Sequence, residues 1–132
     1  MHEKLINGSM EFMLRGENKV IEKLRMQFQE SIIVEVRDTK VGMYARFEVI
    51  NKTLRIDDDE IKKDFAFGDV NGIIEDKESI GFILYVKNGY IEWLEGYSLL
   101  DNVWELADEC NEFVYTGGQR ILRTLEKDWK NI

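Results

Sequence analysis

The chain has no proline, one cysteine and one histidine among its 132 residues. Average usage would supply about six or seven prolines at this length, so their absence is unusual, although it names no function. A lone cysteine excludes an internal disulfide, and with a single histidine it also excludes a zinc ribbon. Long apolar runs are missing too, since nothing approaches the ~20 residues needed to cross a bilayer. The opening residues Met1-His2-Glu3-Lys4 lack the basic-then-apolar order of a secretory signal. A cytoplasmic location is the default expectation. Positive charge is in deficit: 18 Lys and Arg against 26 Asp and Glu leave −8 at pH 7. That balance argues against a nucleic-acid backbone or an anionic membrane as main partner, because both are themselves anionic.

What is present suits one globular domain spanning 1–132. A chain of this length buries about two thirds of its surface on folding, enough for one core. The 44% hydrophobic fraction, with 11% aromatics, fills that core without staples, and 33% charged residues supply a soluble surface.

Hydrophobic spacing sets the order of elements. Residues 3–15 carry Leu5, Ile6, Met10, Met13 and Leu14 at mostly helical spacing, which Gly8 weakens. After a break at Arg15-Gly16, Asn18 is a good N-cap for a helix over 19–30, with Val20, Ile21, Leu24 and Phe28 on one stripe. Residues 31–37 and 41–50 read as two antiparallel strands across a turn at 38–40, the second with Met43, Ala45, Phe47 and Val49 on one side. Residues 51–64 form a polar, highly charged middle in which Leu54 and Ile56 either extend the sheet or sit in an irregular connection. A second β region opens at 65–70, and either Asn71-Gly72 or the 75–79 segment turns the chain.

Residues 80–87 and 90–97 flank Asn88-Gly89, the preferred two-residue type I′ hairpin turn. A simple register pairs Val86 with Ile91 and Leu84 with Trp93, leaving Leu94 on the opposite face. A bulge near Glu92-Trp93 instead brings Ile91 and Leu94 to the same side. Both registers are open at this level. Beyond Tyr97 come a short apolar patch at 103–106, a further strand within 111–116, a breaker at Gly117-Gly118, and a helix over 119–131 with Ile121, Leu122, Leu125 and Trp129 at helical spacing. Arg120, Arg123, Lys127 and Lys130 make that tail the place where positive charge gathers.

Conventional catalytic equipment is sparse. The run Asp57-Asp58-Asp59-Glu60 lacks the turn glycine of a calcium loop and reads as a solvated charged loop. No metal site, glycine-rich phosphate cradle or cofactor motif is evident. His2 is expected in a frayed terminus. Cys110 sits among Asp108, Glu109 and Glu112, which should raise its thiol pKa rather than activate it. Asp69, Glu92 and Glu95 are the candidate acid–base carboxylates of a small enzyme, a reading that needs one of them buried or close to another. Surface glutamates are the favoured reading of Glu92 and Glu95. The aromatic complement is the richer signal. Tyr85, Tyr90, Trp93 and Tyr97 lie near the outer face of the hairpin, and Tyr and Trp are enriched where proteins bind one another.

A resemblance adds to this. Gly16-Glu17-Asn18-Lys19-Val20, Val41-Gly42-Met43-Tyr44-Ala45-Arg46-Phe47, Phe67-Gly68-Asp69-Val70, and Gly81-Phe82-Ile83-Leu84-Tyr85-Val86-Lys87-Asn88-Gly89 before Leu94-Glu95-Gly96-Tyr97 stand in this order. Over about residues 11–106 the chain resembles a family of small bacterial proteins with no established activity. The resemblance implies a single domain with a leading helix, a Gly-Asp-Val strand and a hairpin ending in Leu-Glu-Gly-Tyr. It carries over no catalytic residue. Family members usually continue with acids and a Trp-Pro pair, whereas Trp104 here precedes Glu105, and 107–132 lie outside the likeness.

The expectation is an α+β fold: N-terminal helices on a mostly antiparallel meander sheet of about five or six strands, plus a C-terminal helix. The expected function is a non-catalytic acidic binding protein, of immunity type in one concrete form, with a protein partner or a second copy as its ligand. A small enzyme using the three carboxylates is the alternative.

Overall fold

Asn18 starts a helix by capping it: its side-chain oxygen accepts from the Val20 and Ile21 N–H groups at 2.9 and 3.2 Å. That helix, α2 (Lys19–Gln29), buries Val20, Ile21 and Leu24, and α1 (Glu3–Met13) before it buries Leu5, Ile6, Met10 and Met13. Two apolar stripes of this kind need a sheet to rest on. The computed structural model describes residues 1–131 and supplies that sheet, in an α+β architecture. Its strands are β1 (Ser31–Asp38), β2 (Gly42–Val49), β3 (Phe65–Phe67), β4 (Val70–Ile74), β5 (Lys77–Lys87), β6 (Tyr90–Ser98) and β7 (Glu112–Tyr115). The last helix is α3 (Leu122–Trp129), and 3-10 turns lie at Lys52–Leu54 and Trp104–Glu109.

The strand order is β1-β2-β6-β5-β4-β7, with β3 also on β5, and every pairing is antiparallel. The sheet therefore has seven strands rather than five or six. The reason is that one long strand serves two short ones on the same edge. Lys77 to Gly81 pair with β4, and Leu84 to Val86 pair with β3. Between β3 and β4 the chain crosses so close to β5 that a Cβ on Gly68 would stand 2.0 Å from the Phe82 carbonyl oxygen. Only glycine fits there. The β4–β5 hairpin turns at Glu75 and Asp76, both at positive φ, so Asn71-Gly72 lies inside a strand. Leu54 and Ile56 are buried in the irregular connection and add no strand.

Alternation along each strand then sorts the side chains. Met43, Ala45, Phe47 and Val49 of β2, Phe82, Leu84 and Val86 of β5, and Ile91 and Leu94 of β6 are buried on one face, the face that carries the helices. α3 joins α1 and α2 there, placing Trp129 against Phe65 and Phe67 at 6.1 and 5.4 Å between ring centroids. The C-terminal tail thus belongs to the core. Among the described residues, no helix is long and apolar enough to cross a membrane.

Candidate functional site on the open face of the sheet

The side chains that alternate with the core are left on a face that no described helix shields. Ile91 and Leu94 are both buried, so the hairpin adopts the bulged register: Tyr85 pairs with Trp93 and Val86 with Ile91, leaving Glu92 as the extra residue. The bulge turns Trp93 away from the core and onto the open face. Along the sheet, Arg46 of β2, Trp93 of β6 and Tyr85 of β5 form one row, and Arg37 of β1, Tyr44 of β2, Glu95 of β6 and Ile83 of β5 form the next. In the third row Tyr97 lies over Gly81, where a Cβ would meet the ring carbon Cζ at 2.3 Å.

Hydrogen bonds tie these rows together. Glu95 receives the Tyr85 hydroxyl on one carboxylate oxygen at 3.0 Å and the Tyr44 hydroxyl on the other at 3.1 Å. Burial, the bond to Glu95 and the charge of that carboxylate push the Tyr85 phenol up to about 12. Tyr44 also moves up, chiefly through its bond to Glu95. Both phenols therefore stay neutral donors at any physiological pH. Tyr44 and Trp93 meet edge to face, 6.3 Å between centroids at 90°. With Tyr85 and Arg37 they line a shallow hollow of about 340 Å³. Arg37 stands at its edge, 70% exposed, and donates to Glu35 at 2.9 Å. Arg46 places its guanidinium 6.0 Å from the Trp93 ring centre and 3.6 Å from Glu35.

Of the aromatic residues expected to form an interaction patch, Tyr85, Trp93 and Tyr97 share this face. Tyr90 does not join them: its hydroxyl donates to the Lys52 carbonyl and its ring packs against the core. Tyr44, Arg37 and Arg46 belong to the patch although sequence reading singled out none of them as binding residues. The signal was present, because the alternation that buries Met43, Ala45 and Phe47 necessarily points Tyr44 and Arg46 the other way.

The three candidate acid–base carboxylates lie in three separate places. Glu95 is the one between the tyrosines. Glu92 sits at the bulge, beside Asp64, Lys87 and Trp93 along a shallow depression. Asp69 is spent on structure: Arg120 grips both its oxygens at 2.8 and 3.0 Å while donating also to the carbonyls of Met13 and Arg15. That clamp ties the end of α1 to the β3–β4 crossing. It also withdraws Arg120 from the expected basic face, and Lys130 is likewise paired, with Glu126.

His2 is not frayed. Its side chain is 7% exposed, with Asp108 and Asp38 each 2.7 Å from one ring nitrogen and Trp104 packed 5.4 Å away. Ionised carboxylates only accept, so this pair of contacts suits the imidazolium, in which both ring nitrogens donate. Burial alone would lower its pKa, but the bonds and charges of Asp108 and Asp38 outweigh it and the net shift is upward. Asp38 moves down, held by His2, the Lys40 N–H and the Trp104 indole. Cys110 is buried and its thiol pKa raised, with burial rather than the neighbouring acids as the main cause. Neither residue is presented for nucleophilic chemistry.

Gln27 is a further residue that sequence reading passed over. Fully buried, it donates to the carbonyls of Leu54 and Gly89 and accepts from the Ile91 N–H, all at 2.8 Å. It therefore joins α2, the polar middle and the β5–β6 hairpin immediately beside the bulge that presents Trp93.

Compared with protein-family models, with curated proteins and with solved structures, the chain matches none.

Proposed function

We propose that this chain is a non-catalytic binding module that takes a protein partner on the open face of its sheet. The observation that carries the reading is the one-sided burial of the sheet. Three helices cover one face, while the other presents Tyr44, Tyr85, Trp93 and Tyr97 on adjacent central strands, flanked by charged side chains. Large, half-buried aromatics on a rigid sheet supply contact area at little cost in side-chain entropy, which is why such residues dominate binding energy at interfaces. The net charge of −8 favours a basic partner and would speed encounter with it. An immunity-type protein that occludes a basic toxin nuclease is one concrete form of this role. The alternative of a small carboxylate enzyme draws no support from the separate placement of Asp69, Glu92 and Glu95.

The test compares the wild type with a Tyr44→Ser/Trp93→Ser double variant as immobilised baits, followed by titration of any captured protein in purified form. Loss of about 2 kcal/mol per interface hot spot corresponds to roughly 30-fold weaker binding for each residue removed. Thermal unfolding of the variant should stay cooperative, because both side chains are partly solvent-exposed. Equal binding of the purified partner by both baits would refute the assignment of this face.

A further inference from the structure

We infer that the hollow between Tyr44, Trp93 and Tyr85 receives an arginine side chain of the partner, bound by the aromatic rings and the Glu95 carboxylate. The inference rests on the open-face reading and adds the chemistry of its central contact. Four observations carry it. Tyr44 and Trp93 stand at 90° to each other, forming a corner whose ring faces and edges can enclose a flat cation. Glu95 stands behind the lining of the hollow, holding the hydroxyls of Tyr44 and Tyr85 that do line it, and a carboxylate has about four lone-pair positions. The two tyrosine hydroxyls use two of these, so two remain for an incoming donor. Trp93 already attracts one guanidinium, that of Arg46, 6.0 Å from its ring centre. Finally, the face is acidic: Glu35, Glu48, Glu78, Glu95 and Glu112 outnumber Arg37, Arg46 and, at the hairpin end, Lys87.

Among the described residues, Arg37 is the one cation that lines the hollow. It is 70% exposed and paired with Glu35 at 2.9 Å, which offsets part of its charge and leaves it free to swing away from the hollow. Arginine is favoured over lysine because its planar guanidinium stacks on an indole and can give two parallel hydrogen bonds to a carboxylate. An anionic side chain would be repelled by the Glu95 carboxylate that holds both phenols.

The experiment titrates the full chain with acetyl-Gly-Arg-Gly-amide and with its lysine, citrulline and aspartate counterparts, following indole N–H signals by NMR. Trp104 and Trp129 are buried and Trp93 is half-buried, so Trp93→Phe assigns the reporting signal. The arginine peptide should shift the Trp93 signal saturably and more weakly at high salt. Lysine should bind several-fold less well, and citrulline, which keeps the shape without the charge, at least tenfold less well. Glu95→Gln should weaken the arginine peptide at least tenfold while leaving the unfolding midpoint close to wild type. Equal shifts from citrulline and arginine, a response to aspartate alone, or no response to any peptide would each overturn the inference. The open-face reading would then still stand or fall on the Tyr44→Ser/Trp93→Ser comparison, which does not depend on what enters the hollow.

Discussion

Replacing Gln27 by leucine conserves the volume of a buried side chain and removes its three hydrogen bonds. The Gly89 carbonyl keeps a partner, since the Ile56 N–H also donates to it at 3.0 Å. The Ile91 N–H and the Leu54 carbonyl lose the bonds that Gln27 makes to them. Each buried group left unpaired costs about 1–3 kcal/mol, and added apolar contact returns part of that. A loss near 3 kcal/mol is expected. For a chain of this length the unfolding entropy is roughly 0.28 kcal/mol/K, so the midpoint should fall by about 11 °C. Urea and thermal unfolding measure this directly, provided the transition stays two-state. Gln27→Glu sharpens the test. It keeps an acceptor for Ile91 but turns an oxygen toward two carbonyls, which favours the protonated acid in the folded state. Its folded pKa would then lie above the unfolded value, and its stability deficit relative to wild type should shrink as pH falls. A Gln27→Leu loss below about 1 kcal/mol would refute the claim that this side chain staples the hairpin to α2.

Other substitutions probe the remaining contacts. Arg120→Met leaves the Asp69 carboxylate, 15% exposed, without its partner and should cost about 3–5 kcal/mol, with Asp69→Asn in the same chain recovering part of the loss; unfolding midpoints decide it. Gly8→Ala gains about 1 kcal/mol of helix propensity, yet its new methyl would fall 2.6 Å from the Phe113 ring, so calorimetry should show net destabilisation of about 1 kcal/mol. The His2 pKa is raised on folding and that of Asp38 lowered, so their contact stabilises most between the unfolded pKa values, about 4 and about 6.5. It is lost as pH rises through the folded His2 value or falls through that of Asp38. His2→Gln should therefore lower the midpoint near pH 6 and converge with wild type in alkali; a constant difference across that range would contradict the charged-ring assignment.

Local chemistry made most of the element order legible before any coordinates. The Asn18 cap, the alternation of 41–50 and the Asn88-Gly89 turn each act within a few residues, so their outcome is readable from neighbours alone. The site was less legible, because its placement hangs on contacts made far along the chain. Asn71-Gly72 shows the limit: the same dipeptide type that turns at Asn88-Gly89 runs straight through β4. There it is the pairing with β5 and β7, not the residues, that prevails.

By itself, then, the sequence determined an α+β chain with two leading helices, a strong hairpin, an acidic balance and aromatics spaced along strands. Only the tertiary structure decided which aromatics share a surface. The extra residue at Glu92 sends Trp93 to the open face, and the Ile91 N–H beside it is met by Gln27, 64 positions earlier. Arg120 reaches back to Asp69, and His2 is fixed by Asp108 across 106 positions. Periodicity constrains which face a residue joins within its own strand. A bulge, a buried amide and an ion pair between distant segments depend on how the packed elements leave particular backbone and charged groups to be satisfied, and that is settled only when the whole sheet has closed against its helices.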